Sequence, residues 1–148
     1  MADSTLIQSL IPGADADQSA RSKRQKFLAG GTIAAGDFVS TDTSQTGADR
    51  ALYVITVDTS GGAVALGVPT IGVAMNAAAA GETVEVVVAG YAEDANVATG
   101  STLGLALALD TTTSGRATIA DAANVNIAAI ALEDAASNLC DVWVIPSI

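Results

Sequence analysis

The chain of 148 residues has no His and only one Cys, Cys140. Without His there is no Ser-His-Asp or Cys-His nucleophile, no His-ligated zinc and no side chain that titrates unaided near neutral pH. One Cys excludes an internal disulfide and a thiolate metal site built by this chain alone. Aromatic residues are scarce (one Trp, two Tyr, two Phe), although half of the chain is apolar. The apolar half is therefore mostly Ala, Val, Ile and Leu, accompanied by 14 Gly and much Thr. A long hydrophobic run is also missing. The stretch between Asp58 and Glu82 has no charge, but Gly61-Gly62, Gly67, Pro69, Gly72 and Asn76 interrupt it, so no membrane span is expected. Met1-Ala2-Asp3-Ser4 lacks the basic start of a secretory signal, and a cytosolic product is expected.

Basic residues are few: six against 16 acids, a formal charge of -10. That balance opposes general binding to nucleic acid or to an anionic membrane. The distribution is uneven. Arg21, Lys23, Arg24 and Lys26 place four bases against three acids in residues 1–26, which leaves two bases against 13 acids in the rest. An acidic body thus follows a segment with one basic spot.

Residues 1–28 read as an extended N-terminal arm, with Pro12-Gly13 as a breaker and a turn at Asp15 and Asp17 before the basic cluster. Beyond residue 28, short β-branched or alternating runs are separated by Gly, Asp, Asn, Ser and Thr, which predicts an all-β body over 29–148. Strands are expected at 37–41, 51–57, 63–66, 70–75, 83–89, 103–109, 116–120, 126–131 and 140–145. The Ala-rich stretches Asn76 to Ala80 and Glu133 to Ala136 are expected to form one or two short helical turns. The whole reads as a small β-barrel or β-sandwich.

An internal repeat organises this body, with copies at about 29–90 and 98–148. Gly31-Thr32-Ile33, Asp42-Thr43 to Gly47, Arg50-Ala51, Val73-Ala74-Met75 and Glu85-Val86-Val87-Val88 form the first series. Ser101-Thr102-Leu103, Asp110-Thr111 to Gly115, Arg116-Ala117, Ile130-Ala131-Leu132 and Asp141-Val142-Trp143-Val144 follow in the same order. A duplicated unit of strand, hairpin, strand, Ala turn and strand accounts for both.

No motif carries catalytic chemistry. Asp42 to Gly47 and Asp110 to Gly115 have the oxygens and Gly of a half calcium loop, but position 12 is Tyr53 or Asp121 instead of Glu. Asp, Ser, Thr and Gly at these places are also what a hairpin loop needs, and the loops are read so. Glu82 and Glu85 point to opposite faces if they lie in a strand, while Glu93-Asp94 and Glu133-Asp134 are adjacent pairs at turns. No dinucleotide or P-loop glycine motif occurs. The expectation is a non-enzyme with no cofactor and no metal.

The candidate sites are therefore surfaces. Arg21, Lys23, Arg24 and Lys26 have two readings, a solvated stretch or a docking site for an acidic protein surface. The apolar residues Leu6, Ile7, Leu10 and Ile11 would dock with them by strand addition. Val86, Val88, Val142, Trp143 and Val144 are candidates for the core or a subunit interface, where a lone Trp serves as filler. A 28-residue arm reaches up to about 90 Å when extended.

Gly-Thr-Ile-Ala-Ala-Gly-Asp-Phe-Val at 31–39, Ile-Gly-Val-Ala-Met at 71–75, the Ala-rich string through Glu-Val-Val-Val at 77–90 and its weaker echo at 127–145 resemble the capsid decoration, or cement, proteins of tailed bacteriophages. The resemblance covers about residues 29–148. It implies a small β protein, a homotrimer, that sits on the outer capsid surface and stabilises the shell by bridging major capsid protein subunits. It offers no catalytic residue to carry over and no motif for the arm. A head-fibre or spike module that binds host-surface glycan is the alternative, and the few aromatics disfavour it. Neither nucleic acid nor a membrane is an expected partner.

Overall fold

A computed structural model describes residues 21–57, 70–121 and 126–146. The fold is all-β. Nine strands occur there: β1 (Ser22–Ala29), β2 (Phe38–Thr41), β3 (Tyr53–Thr56), β4 (Thr70–Ala74), β5 (Thr83–Asn96), β6 (Ala106–Leu109), β7 (Ala117–Ile119), β8 (Ile127–Ala131) and β9 (Leu139–Val144). Eight of them lie where β-branched residues alternate with turn residues. The strand expected at 63–66 lies outside the described residues, as do Leu6, Ile7, Leu10 and Ile11.

Three expectations need correction. First, the boundary after residue 28 falls inside β1, which is part of the body. Its charged side chains look solvated from the sequence, but its backbone pairs with β5 antiparallel from Ser22↔Gly90 to Leu28↔Thr83 and with β3 in parallel at Leu28↔Tyr53 and Ala29↔Val54. Second, neither Ala-rich stretch is helical. Ala78 exchanges backbone hydrogen bonds with Ile33 (2.9 and 3.0 Å), and Ala135 N donates to Ser101 O, so these segments serve as edges and their helix propensity is overridden. Third, a 3-10 turn at Gly47–Ala51 falls where a hairpin loop and the start of a strand were expected.

β1, β3, β2, β4 and the N-terminal half of β5 close into a five-stranded barrel. Val39, Val54, Ala74, Val84 and Val86 fill its interior with Ala29, Ile33 and Ala78. The remaining strands repeat its pairings. β2 pairs with β4 through Phe38↔Val73 and Val39↔Gly72, with a bulge after Val39. β6 pairs with β8 through Ala106↔Ile130 and Leu107↔Ala129, with a bulge after Leu107. Ala74↔Val86 in the first unit matches Ala131↔Val142 in the second.

The correspondence extends into β5. Phe27↔Val84 and Leu28↔Thr83 match Ala95↔Cys140 and Asn96↔Leu139, and the parallel contact Ala29↔Val54 matches Val97↔Ala117. The C-terminal half of β5 is thus the second unit's β1. One continuous strand ends the first unit and begins the second, so the units start at Ser22 and near Tyr91 instead of at 29 and 98. Ile33 stands opposite Ala78 as Ser101 stands opposite Ala135, which moves the first element of the sequence alignment by two residues.

Gly90 sits at the junction with φ +90°, and a Cβ there would lie 2.0 Å from the carbonyl oxygen of Arg21. Only Gly allows β1 to approach this closely. The interior of the second unit is made by Val97, Leu107, Ala117, Ala131, Cys140 and Val142. Phe38, Val57, Val73 and Val87, from the outer face of the first barrel, belong to the same buried cluster. Backbone bonds seal this contact between units: Phe38 N to Gly115 O (2.9 Å), Gly115 N to Val57 O (2.8 Å) and Asn96 N to Gly36 O (2.9 Å).

Candidate docking surface

The two Asp-Thr loops are built alike. Asp42 accepts hydrogen bonds at Oδ1 from Ser44 N and Ser44 Oγ and at Oδ2 from Gln45 Nε2. Asp110 accepts at Oδ1 from Thr112 N and Thr112 Oγ1, both at 2.7 Å, and at Oδ2 from Arg116 Nε. Both carboxylates are buried and are occupied in holding their own loops, the side-chain turn expected of Asp in a hairpin. Among the described residues, no three His, Cys, Asp or Glu side chains gather as metal ligands would.

Burial pushes the Asp110 carboxyl up, but the bonds from Thr112 and Arg116 outweigh it and hold the group below the usual carboxylate range. A carboxylate whose folded pKa is depressed stabilises the fold fully above its unfolded value, and that contribution is lost as pH falls through the folded one. The melting temperature should therefore drop as pH falls below about 4. Asp110→Asn should melt lower at neutral pH and lose part of this acid dependence. Parallel curves of melting temperature against pH for the two proteins would show that Asp110 is not a source.

At the junction, Tyr91 Oη donates to Asp141 Oδ2 at 2.7 Å, and Asp94, in a left-handed conformation with φ +48°, donates its N–H to Asp141 Oδ1. The bond to Asp141 raises the Tyr91 phenol, with burial adding to it. Cys140 is buried, and burial raises its thiol as well. These groups fasten the strand crossing.

The basic cluster lies along β1 next to the end of β9. Arg24 makes an ion pair with Glu85 across the β1–β5 ladder at 3.0 Å. Arg21, Lys23 and Lys26 are exposed. Arg21, Ser22 and Lys23 form one wall of an open groove of about 630 Å³, and Ala89, Gly90, Trp143, Val144 and Pro146 form the rest. A second depression, about 400 Å³, continues past Lys23 to Phe27, Ile71 and Val88.

The structure thus brings Arg21, Lys23, Val88 and Trp143 to one surface, with Val144 buried at the floor of the groove. It separates them from Val86 and Val142, which are fully buried inside the two units. Trp143 is 43% exposed, so it does not fill the core. Its side chain alternates outward between Val142 and Val144, which point inward. Sequence reasoning missed the exposed Leu103, Leu105, Ile119, Ile130 and Leu132. In the register of the structure they occupy positions held in the first unit by Ala35, Asp37, Thr56, Val73 and Met75, and the sequence carried no signal of their exposure, since Val73 at one of these positions is fully buried.

No protein-family model matches the chain, and no curated protein matches it. Among solved structures, it is similar to the head fiber gp8.5 N base of bacteriophage phi29, with a TM-score of 0.52 and 16% sequence identity over 83% of this chain and 93% of that one. At that identity the likeness is one of fold.

Proposed function

We propose that this chain is a non-catalytic structural protein of a phage virion. It binds the outer surface of the capsid as a homotrimer and stabilises the shell by bridging major capsid protein subunits. The observation that carries the reading is the shared fold with a phage head fibre base. The exposed bases of β1 beside Trp143 support it, because they give an otherwise acidic molecule a mixed basic and apolar surface for an acidic partner.

Binding to expanded heads of the cognate phage, followed by co-sedimentation, tests this. Replacing Arg21, Lys23 and Lys26 by Ser should weaken attachment severalfold and reduce its salt dependence, since exposed ion pairs contribute no more than about 1 kcal/mol each. Deleting residues 1–20 should leave the body folded, because the described barrel starts at Ser22, and should weaken attachment further. Undiminished decoration by both variants would overturn the docking role of this surface.

A second reading, a head-fibre or spike module that binds host-surface glycan, is favoured by the likeness to the head fiber base of phi29. Binding of the purified protein to host cells but not to heads would select it.

A further inference from the structure

The wall of the first barrel is incomplete at one end. β3 begins at Tyr53 and pairs with β1 only at Leu28 and Ala29, so β1 outruns it toward its own N-terminus. There the depression of about 400 Å³ opens, between Lys23, Gln25 and Phe27 of β1 on one side and Ala51, Ile71 and Val88 on the other. Lys23, Gln25 and Phe27 alternate along one face of the strand. Phe27, Ile71 and Val88, all half-buried, pack against the barrel interior from this side. The depression is thus the open mouth of a β-barrel with an apolar floor, a place where binding sites are commonly built.

The repeat shows what flanks such a place. Leu28 N–H donates to Leu52 O, and its counterpart in the second unit, Asn96 N–H, donates to Gly36 O. Gly36 belongs to the first unit and also lies against Asp94, since a Cβ on it would sit 2.5 Å from Asp94 O. The first strand of the second unit is therefore covered on this side by chain that precedes it in sequence. The chain that precedes the first unit is residues 1–20.

That segment suits the mouth in reach, charge and apolar content. Nine residues separate Ile11 from Arg21 and span up to about 30 Å, whereas Phe27 lies only about 20 Å from Arg21 along β1. The segment carries Asp3, Asp15 and Asp17 and no base. Among the described residues no Asp or Glu lines the mouth, while Lys23 does. In residues 27–148, 13 acids against two bases make the rest of the body repellent to an acidic segment. Leu6, Ile7, Leu10 and Ile11, gathered within six residues, supply side chains for the apolar floor.

We infer that the N-terminal segment of the same chain occupies this mouth, with Leu6, Ile7, Leu10 and Ile11 against Phe27, Ile71 and Val88 and its aspartates towards Lys23. A tether this short holds the segment at a millimolar local concentration, which favours it over the same segment of another copy. This inference stands apart from the virion reading, and its test needs no phage.

The full-length chain, labelled at its methyl groups, is measured by NMR. Nuclear Overhauser effects should connect methyls of Leu6, Ile7, Leu10 or Ile11 with the Phe27 ring or with the methyls of Ile71 and Val88. In a mixture of labelled and unlabelled chains these effects should arise within one chain only. Their absence overturns the inference, and so do effects found only between chains, the result of segments exchanged between copies.

A full-length variant with Leu6, Ile7, Leu10 and Ile11 all replaced by Ser gives the second measurement. Amide exchange in Ser22–Ala29 should quicken by about tenfold, because β1 loses its cover on this side. Exchange in β8 and β9 should stay as in the wild type, which shows that the body is folded. Equal exchange of β1 in the two proteins overturns the inference as well.

Discussion

Gly90→Val should destabilise the protein by about 3 kcal/mol, from forbidden backbone geometry and a steric overlap acting together. At φ +90° a β-branched residue is a severe outlier, and the added Cβ would sit 2.0 Å from Arg21 O and 3.0 Å from the carbonyl carbon behind it. Both obstacles are backbone, so no rotamer change relieves them. The chain must move β1 away from β5, and β1 closes the first barrel on two sides. For a domain of this size the cost corresponds to roughly 10 °C in melting temperature, with loss of amide protection concentrated in Ser22–Ala29. Gly31→Ala is the control: nothing lies within 4 Å of its added Cβ, and the expected change is within about 0.5 kcal/mol. Equal melting of the two variants would refute closure of the barrel by β1.

Phe38→Ala should cost about 3 to 5 kcal/mol, the range for removing a fully buried ring. Phe38 is fully buried and belongs to the cluster that spans both units, while its own N–H donates to Gly115 O across the contact. The cavity would open between two rigid sheets that cannot collapse freely to fill it, which favours the upper part of the range. The loss should appear in chemical denaturation as a lower midpoint and, if the units separate before they unfold, as a broader transition. The matching position in the second unit is already Ala106, where none of the described residues covers the ring's place. A cost below about 1 kcal/mol would mean that the units are not held together through this face.

Local chemistry made much of the architecture legible. Val, Ile and Thr alternating between Gly-, Asp- and Asn-containing turns placed β2 to β9 to within a few residues, the C-terminal half of β5 excepted, because a half-buried strand needs that alternation wherever its partner lies. Asp42 and Asp110 announced their loops for the same reason, since each carboxylate bonds to its own next-but-one residue. The single-residue change in spacing between Ala74-to-Val86 and Ala131-to-Val142 was likewise visible in the string of letters and reappears as register.

What remained hidden depends on partners far along the chain. Ser22–Ala29 looks like a charged tail until β5, some sixty residues away, supplies its hydrogen bonds. Gly90 reads as a strand end until Arg21 O is seen against it, and the strand in fact continues to Asn96. Ala-rich 76–80 and 133–136 favour helix locally, but tertiary hydrogen bonds to Ile33 and Ser101 determine their form. The fate of Trp143 is the clearest case. The sequence alone aligned it with Val87, through the matched strings Glu85-Val86-Val87-Val88 and Asp141-Val142-Trp143-Val144. Only the tertiary structure decided that Val87 is covered and Trp143 is bare, because burial depends on whether another unit follows in space, and after the second unit the chain supplies none among the described residues.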